Sequence, residues 1–239
     1  MQLWIIFTIS AAFVQNLRFM LQRNLNHSGL TPTGATFARF IFGAPVAAIL
    51  LFILLTNFDY PLPNTQTKFF LYCAMGGIAQ ILATILTIKI FEKRNFSIGI
   101  IFTKTEVIQT AIVGFLFLGE SLSAYGALAI LISFLGLIFL SRPKKLSNPT
   151  SISQYFNQTS LIGLGAGAFF GLSAVGYRAA SLSLLDGNFI IRAATTLAFV
   201  TIFQATLMAF WLTISDRKEA YKTIILWRIS GLVGIFGIL

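Results

Sequence analysis

A chain of 239 residues that is 56% hydrophobic and only 10% charged cannot cover itself with a water-soluble surface, because soluble domains carry about a quarter charged residues. Its net charge of +10 lies between apolar runs rather than along one face, so membrane topology and anionic lipid account for it and nucleic acid is excluded as a partner. One cysteine, Cys73, rules out an internal disulfide. One histidine, His27, with no CxxC or HExxH pattern, rules out a zinc site, so neither metal nor cofactor is expected.

A membrane-spanning helix needs about 20 mostly apolar residues. Stretches 3–21, 35–56, 69–91, 96–118, 122–141, 161–184, 188–214 and 223–239 meet or approach that length, which predicts an all-α, polytopic transmembrane bundle. The first stretch begins Met1-Gln2-Leu3-Trp4, without the basic region of a secretory signal, so it reads as a retained helix. Thr8, Gln15, Arg18 and Gln22 form one stripe along it, spaced seven, three and four. Lipid does not tolerate such a stripe, which must face protein or water. Gln15, Asn16 and Arg18 are therefore candidates to line a pathway, against a packing role in interhelical hydrogen bonding.

The second stretch carries Arg39 about a turn inside its start, placed to snorkel to the interface or to act as a gate. It also holds Gly43 and Pro45, which can kink it. On the third, Cys73, Gly77, Gln80, Thr84 and Thr87 again make one stripe, and Gln80 and Thr84 join the pathway candidates.

The fourth stretch holds the sharpest candidate. Glu106 sits near its middle, and with Thr103, Gln109, Thr110 and Val113 makes a partly polar face. A carboxyl group in a bilayer is costly and functional by default, so Glu106 could exchange a proton for substrate. The alternative is a structural glutamate neutralised by a neighbouring base. Lys104, two residues away, lies on nearly the opposite side of the helix. It could bind an anionic substrate group or simply reach another helix. Further on, Gly126, Ser133 and Gly136 in the fifth stretch and Gly163, Gly165, Gly167 and Gly171 in the sixth predict close helix packing.

Between those two lies 142–160, a polar, basic segment rich in Ser, Asn and Pro that reads as a linker between two halves. Gly34 to Arg39 resembles Gly187 to Arg192, each with Arg five residues after Gly, and Arg192 shares the gate-or-interface reading. This suggests two repeats, 1–141 and 161–239. With five helices per half, the halves point opposite ways, the inverted-repeat logic of many secondary transporters.

Lys and Arg cluster after the first, third, fifth and seventh stretches, as Arg18, Arg23, Lys89, Lys93, Arg94, Arg142, Lys144, Lys145, Arg217, Lys218, Lys222 and Arg228. Lys68 and Arg178 face the other way. The side carrying the basic cluster is expected to be cytoplasmic and the N-terminus outside. The eighth stretch runs to Leu239 without a polar flank, so further helices are expected to be missing from the second half.

From Thr103-Lys104-Thr105-Glu106 through Leu118-Gly119-Glu120 and on to Tyr125-Gly126, the chain resembles the end of an EamA domain of the drug/metabolite transporter superfamily. The resemblance spans the whole chain, with the second domain matching through its third helix. It implies ten helices, of which about eight are present, and a second Leu-Gly-Glu-like turn that this chain lacks. It implies transport of small metabolites, amino acids or drug-like molecules in a bacterial inner membrane, with the lipid bilayer and a small-molecule substrate as partners; a homodimer is one assembly it allows. It also makes Glu120 the family's turn glutamate, suited to a helix N-terminus.

No GxxxxGK[ST] sequence is present, so ATP hydrolysis by this chain is not expected. An intramembrane enzyme is the rival reading, disfavoured because Asp59, Asp186 and Asp216 fall in loops. A channel is disfavoured because no ring of like charges or carbonyl filter is legible. A non-transporting structural fragment is the remaining alternative.

Overall fold

A computed structural model describes residues 3–57, 61–93, 96–119, 123–140 and 158–238. The described residues fold as α-helices joined by turns, with no strand among them. In order these are α1 (Leu3–His27), α2 (Pro32–Asn57), α3 (Thr67–Phe91), α4 (Phe96–Thr103) and α5 (Glu106–Leu118). Then come α6 (Ala124–Leu140), α7 (Gln158–Ser183), α8 (Phe189–Ser215), α9 (Arg217–Ile225) and α10 (Trp227–Ile238). In hydrocarbon every backbone amide and carbonyl must find its partner within the chain, and the helix does this locally for each apolar run. Six helices or continuous spans are long and apolar enough to cross a membrane, seven if α9 and α10 are taken as one bent span.

Two predicted spans are broken. The continuous helix expected over 96–118 is interrupted at Lys104-Thr105. Thr103 and Thr105 donate their hydroxyls to the carbonyls of Gly99 (3.0 Å) and Phe102 (2.6 Å), and the Thr105 amide turns back to the Phe102 carbonyl instead of Ile101. The second break is at Leu226, where α9 and α10 meet at 87°. The stretch expected as one span from 223 thus begins as the end of a separate polar helix. Asp216 caps α9, its carboxylate accepting from the Glu219 amide at 3.1 Å.

By packing, the chain divides into two compact units: Met1–Gly77 with Ala180–Leu239, and Ile78–Ala179. These interleave the chain's two halves, since α3 and α7 each contribute to both. In the first unit α2 is central, packed on α8 and α10. Its core includes Phe40, Phe69, Leu25, Ile191 and Leu212, with Cys73 buried as a free thiol. Phe69, Phe70 and Phe199 meet edge to face at 5.4 to 5.7 Å between ring centroids, the geometry aromatic rings prefer.

Both α2 and α8 are entered through a left-handed glycine and a side-chain cap. Gly29 has φ +88°, and Thr31 then accepts from the Gly34 amide at 3.1 Å. Gly187 has φ +85°, and Asn188 accepts from the amides of Ile190 and Ile191. Gly34, paired with Gly187 in the sequence repeat, instead lies inside α2. Of the predicted linker, residues 142–157 lie outside the described residues, and Gln158–Ser160 already belong to α7.

Candidate functional site

The second unit is built around the broken span. α7 presents Gly163, Gly167 and Gly171, four residues apart and so on one face. Each meets backbone of the α4–α5 segment. A methyl at Gly163 would overlap the Gly99 carbonyl, with Phe102 Cβ 2.9 Å away. At Gly167 it would stand 3.0 Å from the Thr103 carbonyl oxygen and 3.2 Å from the Glu106 amide. At Gly171 it would meet the Thr110 amide at 3.1 Å. The glycine seam therefore brings α7 onto the interruption itself, where the Lys104 and Thr105 amides bond back to the Ile101 and Phe102 carbonyls.

Glu106 stands half-buried in the first turn of α5. It is thus at a helix beginning and not, as expected, in mid-helix, a position that the helix dipole favours for a carboxylate. Gln109, one turn on, donates to Thr105 Oγ1 at 2.8 Å and approaches the Leu164 carbonyl of α7. Lys104 is exposed. It lines a cleft of about 200 Å³ with Val107, Ile108, Ile130, Ser133 and Phe134.

On α3, Gln80 accepts a 2.8 Å hydrogen bond from the Tyr177 hydroxyl of α7. Thr84 is buried and donates to the Gln80 carbonyl of its own helix at 2.8 Å. The stripe expected on α3 does face inward, with Cys73, Gly77, Thr84 and Thr87 all buried. Tyr177 was not singled out from sequence; its signal is that a phenol inside an apolar helix needs a polar partner.

The first unit holds the remaining candidates. Arg18 and Gln22 are buried, Gln15 is half-buried and Asn16 is exposed, so Asn16 leaves the face its neighbours share. Arg18 lies 4.4 Å from the Phe19 ring centroid, and Gln22 donates to the Ala35 carbonyl of α2 at 3.3 Å. Arg39 is buried on α2, with Gly237 of α10 so close that a methyl there would stand 2.9 Å from its stem. Arg192 is half-buried and donates to the Leu184 carbonyl just past α7, where a cation suits the helix C-terminus. Glu120 lies outside the described residues; the Gly119 before it has φ +66° and closes α5.

A polar latch in this unit was also missed. Glu219 of α9 is buried, and its carboxylate accepts from both the amide and the hydroxyl of Thr31 at the start of α2. Lys222 donates to the Gly29 carbonyl. Asp216-Arg-Lys-Glu219 has the spacing of a capping box, which was the legible sign of an extra helix.

Among the described residues no group of three metal-ligating side chains is assembled. The sequence pattern of the EamA-like transporter family matches residues 2–142. No curated protein and no solved structure gives a significant match to the chain.

Proposed function

The chain belongs to the EamA-like transporter family, and from that premise we propose that it is a secondary carrier of small metabolites, amino acids or drug-like molecules. Family membership and the apolar helices make it a membrane transporter. The observation that supports a carrier mechanism is the interruption at Lys104-Thr105, which sets Glu106 at the start of α5 against the glycine face of α7. Interrupted spans are where secondary transporters place coupling and substrate groups, because half-helix ends offer polar backbone inside the membrane.

In this reading Glu106 carries the coupling proton. Within the same unit Gln80, Thr84, Lys104 and Gln109 line the route. Gln15, Asn16 and Arg18 keep a pathway role on α1, Arg39 and Arg192 serve as gates or interface anchors, and Glu120 completes the turn after α5. The protein sits in a plasma membrane, the bacterial inner membrane by analogy, with its N-terminus outside, a reading supported by the distribution of Lys and Arg.

Flux in proteoliposomes against a panel of amines, amino acids and metabolites, at two pH values, tests the proposal. Saturable, gradient-driven flux whose pH dependence disappears in Glu106→Gln is expected. Flux that keeps its full pH dependence in that variant removes the coupling role.

A further inference from the structure

The cleft at Lys104 has a composition that packing alone does not call for. Its walls are two short faces of matching spacing, Lys104, Val107 and Ile108 on one side and Ile130, Ser133 and Phe134 on the other. Ile130, Ser133 and Phe134 follow i, i+3, i+4 and so share one face of α6, while Lys104 stands in the interruption just before Val107 and Ile108 of α5. Four of the six side chains are apolar, one is a hydroxyl and one is an ammonium. None of the six carries a negative charge.

Lys104 also lies inside an apolar span, Gly99–Leu118. Eight residues separate it from Phe96, where α4 starts, which is about 12 Å of helix rise. From there to Leu118 at the end of α5 is a further 14 residues, about 21 Å. An ammonium so far from either end is costly without a counter-charge, and a lysine stem reaches only part of the way out. A phospholipid phosphate stays in the headgroup region and does not come to meet it. An anion with an apolar body does: the body is at home between Val107, Ile108, Ile130 and Phe134, and the charge is neutralised at depth.

We propose that the cleft between α5 and α6 binds a lipophilic monoanion, a carboxylate carried on an alkyl or aryl body. Its carboxylate sits on the Lys104 ammonium with the Ser133 hydroxyl as a second donor. At about 200 Å³ the cleft is smaller than the sites that enclose whole drug-sized ligands, so it takes the charged end of the molecule and leaves the rest against the helix faces. As a statement about substrate class this rests on the carrier reading; as a statement about a binding site it does not.

The test uses the full chain in nanodiscs of zwitterionic lipid and 11-(dansylamino)undecanoic acid as a fluorescent probe. Saturable binding is expected, weakened at least tenfold in Lys104→Gln and largely retained in Lys104→Arg. The uncharged dansyl alcohol of equal chain length is expected to bind at least tenfold more weakly than the acid. Ile130→Trp, which fills the cleft and leaves Lys104 in place, is expected to abolish binding while helicity is unchanged. Equal binding of acid and alcohol, or an unaltered affinity in Lys104→Gln, overturns the proposal. So does displacement of the probe by anionic phospholipid as effective as displacement by decanoate, since the ligand is then a headgroup. Flux is scored separately: Lys104-dependent binding with no flux of any solute supports the site and counts against the carrier reading alone.

Discussion

The glycine seam makes a sharp stability prediction, because two glycines of α7 only two residues apart differ in what a methyl would meet. At Gly163 the added carbon overlaps the Gly99 carbonyl and stands 2.9 Å from Phe102 Cβ and 3.1 Å from the Gly99 carbonyl carbon. These are backbone or near-backbone atoms, which do not swing aside, so α7 and α4 must move apart locally by roughly half an ångström or more to reach ordinary contact. At Gly165 the nearest atom is Leu86 Cδ1 at 3.6 Å, an ordinary contact. Overpacking of this kind costs about 1–3 kcal/mol, while alanine at Gly165 gains a few tenths to about 1 kcal/mol of helix propensity. Gly163→Ala is therefore expected to lower the melting temperature, by about 2–4 °C per kcal/mol for a chain of this length, and Gly165→Ala to hold or raise it. Circular dichroism melts of the two variants in one detergent provide the comparison. Equal melting temperatures, or a larger loss at Gly165, would refute the claim that α7 rests on the broken span through one glycine face.

Glu219→Ala removes the acceptor of the Thr31 amide and hydroxyl and is expected to cost about 1.5–3 kcal/mol, as for hydrogen bonds to a charged group. Glu219→Gln, which keeps an acceptor oxygen, should recover part of that in the same melt. Tyr177→Phe removes the bond to Gln80 and should cost about 0.6 kcal/mol, at most about 1.7, typical of interhelical hydrogen bonds in membranes; reversible denaturant titration in mixed micelles measures it. Gly119→Ala forces a side chain into the left-handed region and is expected to cost about 1–2 kcal/mol, visible as a lower midpoint in that titration.

Apolar length was enough to find six of the eight expected spans among the described residues, while the stretch expected over 122–141 gives a shorter apolar helix and the last is bent at Leu226. The polar stripes were legible in part: Arg18 and Gln22 turn inward, as do Thr84 and Thr87, while Thr8 of the first stripe is exposed. Asn16 stands off the face that Arg18 and Gln22 share, a direction that polarity alone does not give, since adjacent residues on a helix point about 100° apart. The break at Lys104-Thr105 escaped notice for a different reason. Hydropathy averages over the run, whereas the break is a local change in backbone hydrogen bonding, the Thr105 amide turning back to the Phe102 carbonyl. The repeat was pinned to Gly34 and Gly187 by letter. The glycines that share a left-handed conformation before a capped helix are Gly29 and Gly187, a likeness visible only in dihedral angles. Glu219 and Tyr177 depend on partners more than 90 residues away in sequence, which no local pattern specifies.

Cys73, at 4% exposure, leaves the native chain nearly silent to aqueous thiol reagents. A cysteine introduced at exposed Asn16 or Leu128 would report on its own position with little background. A spin-label pair at those two sites, one on each compact unit, would turn the protein into its own molecular ruler for motion during a transport cycle.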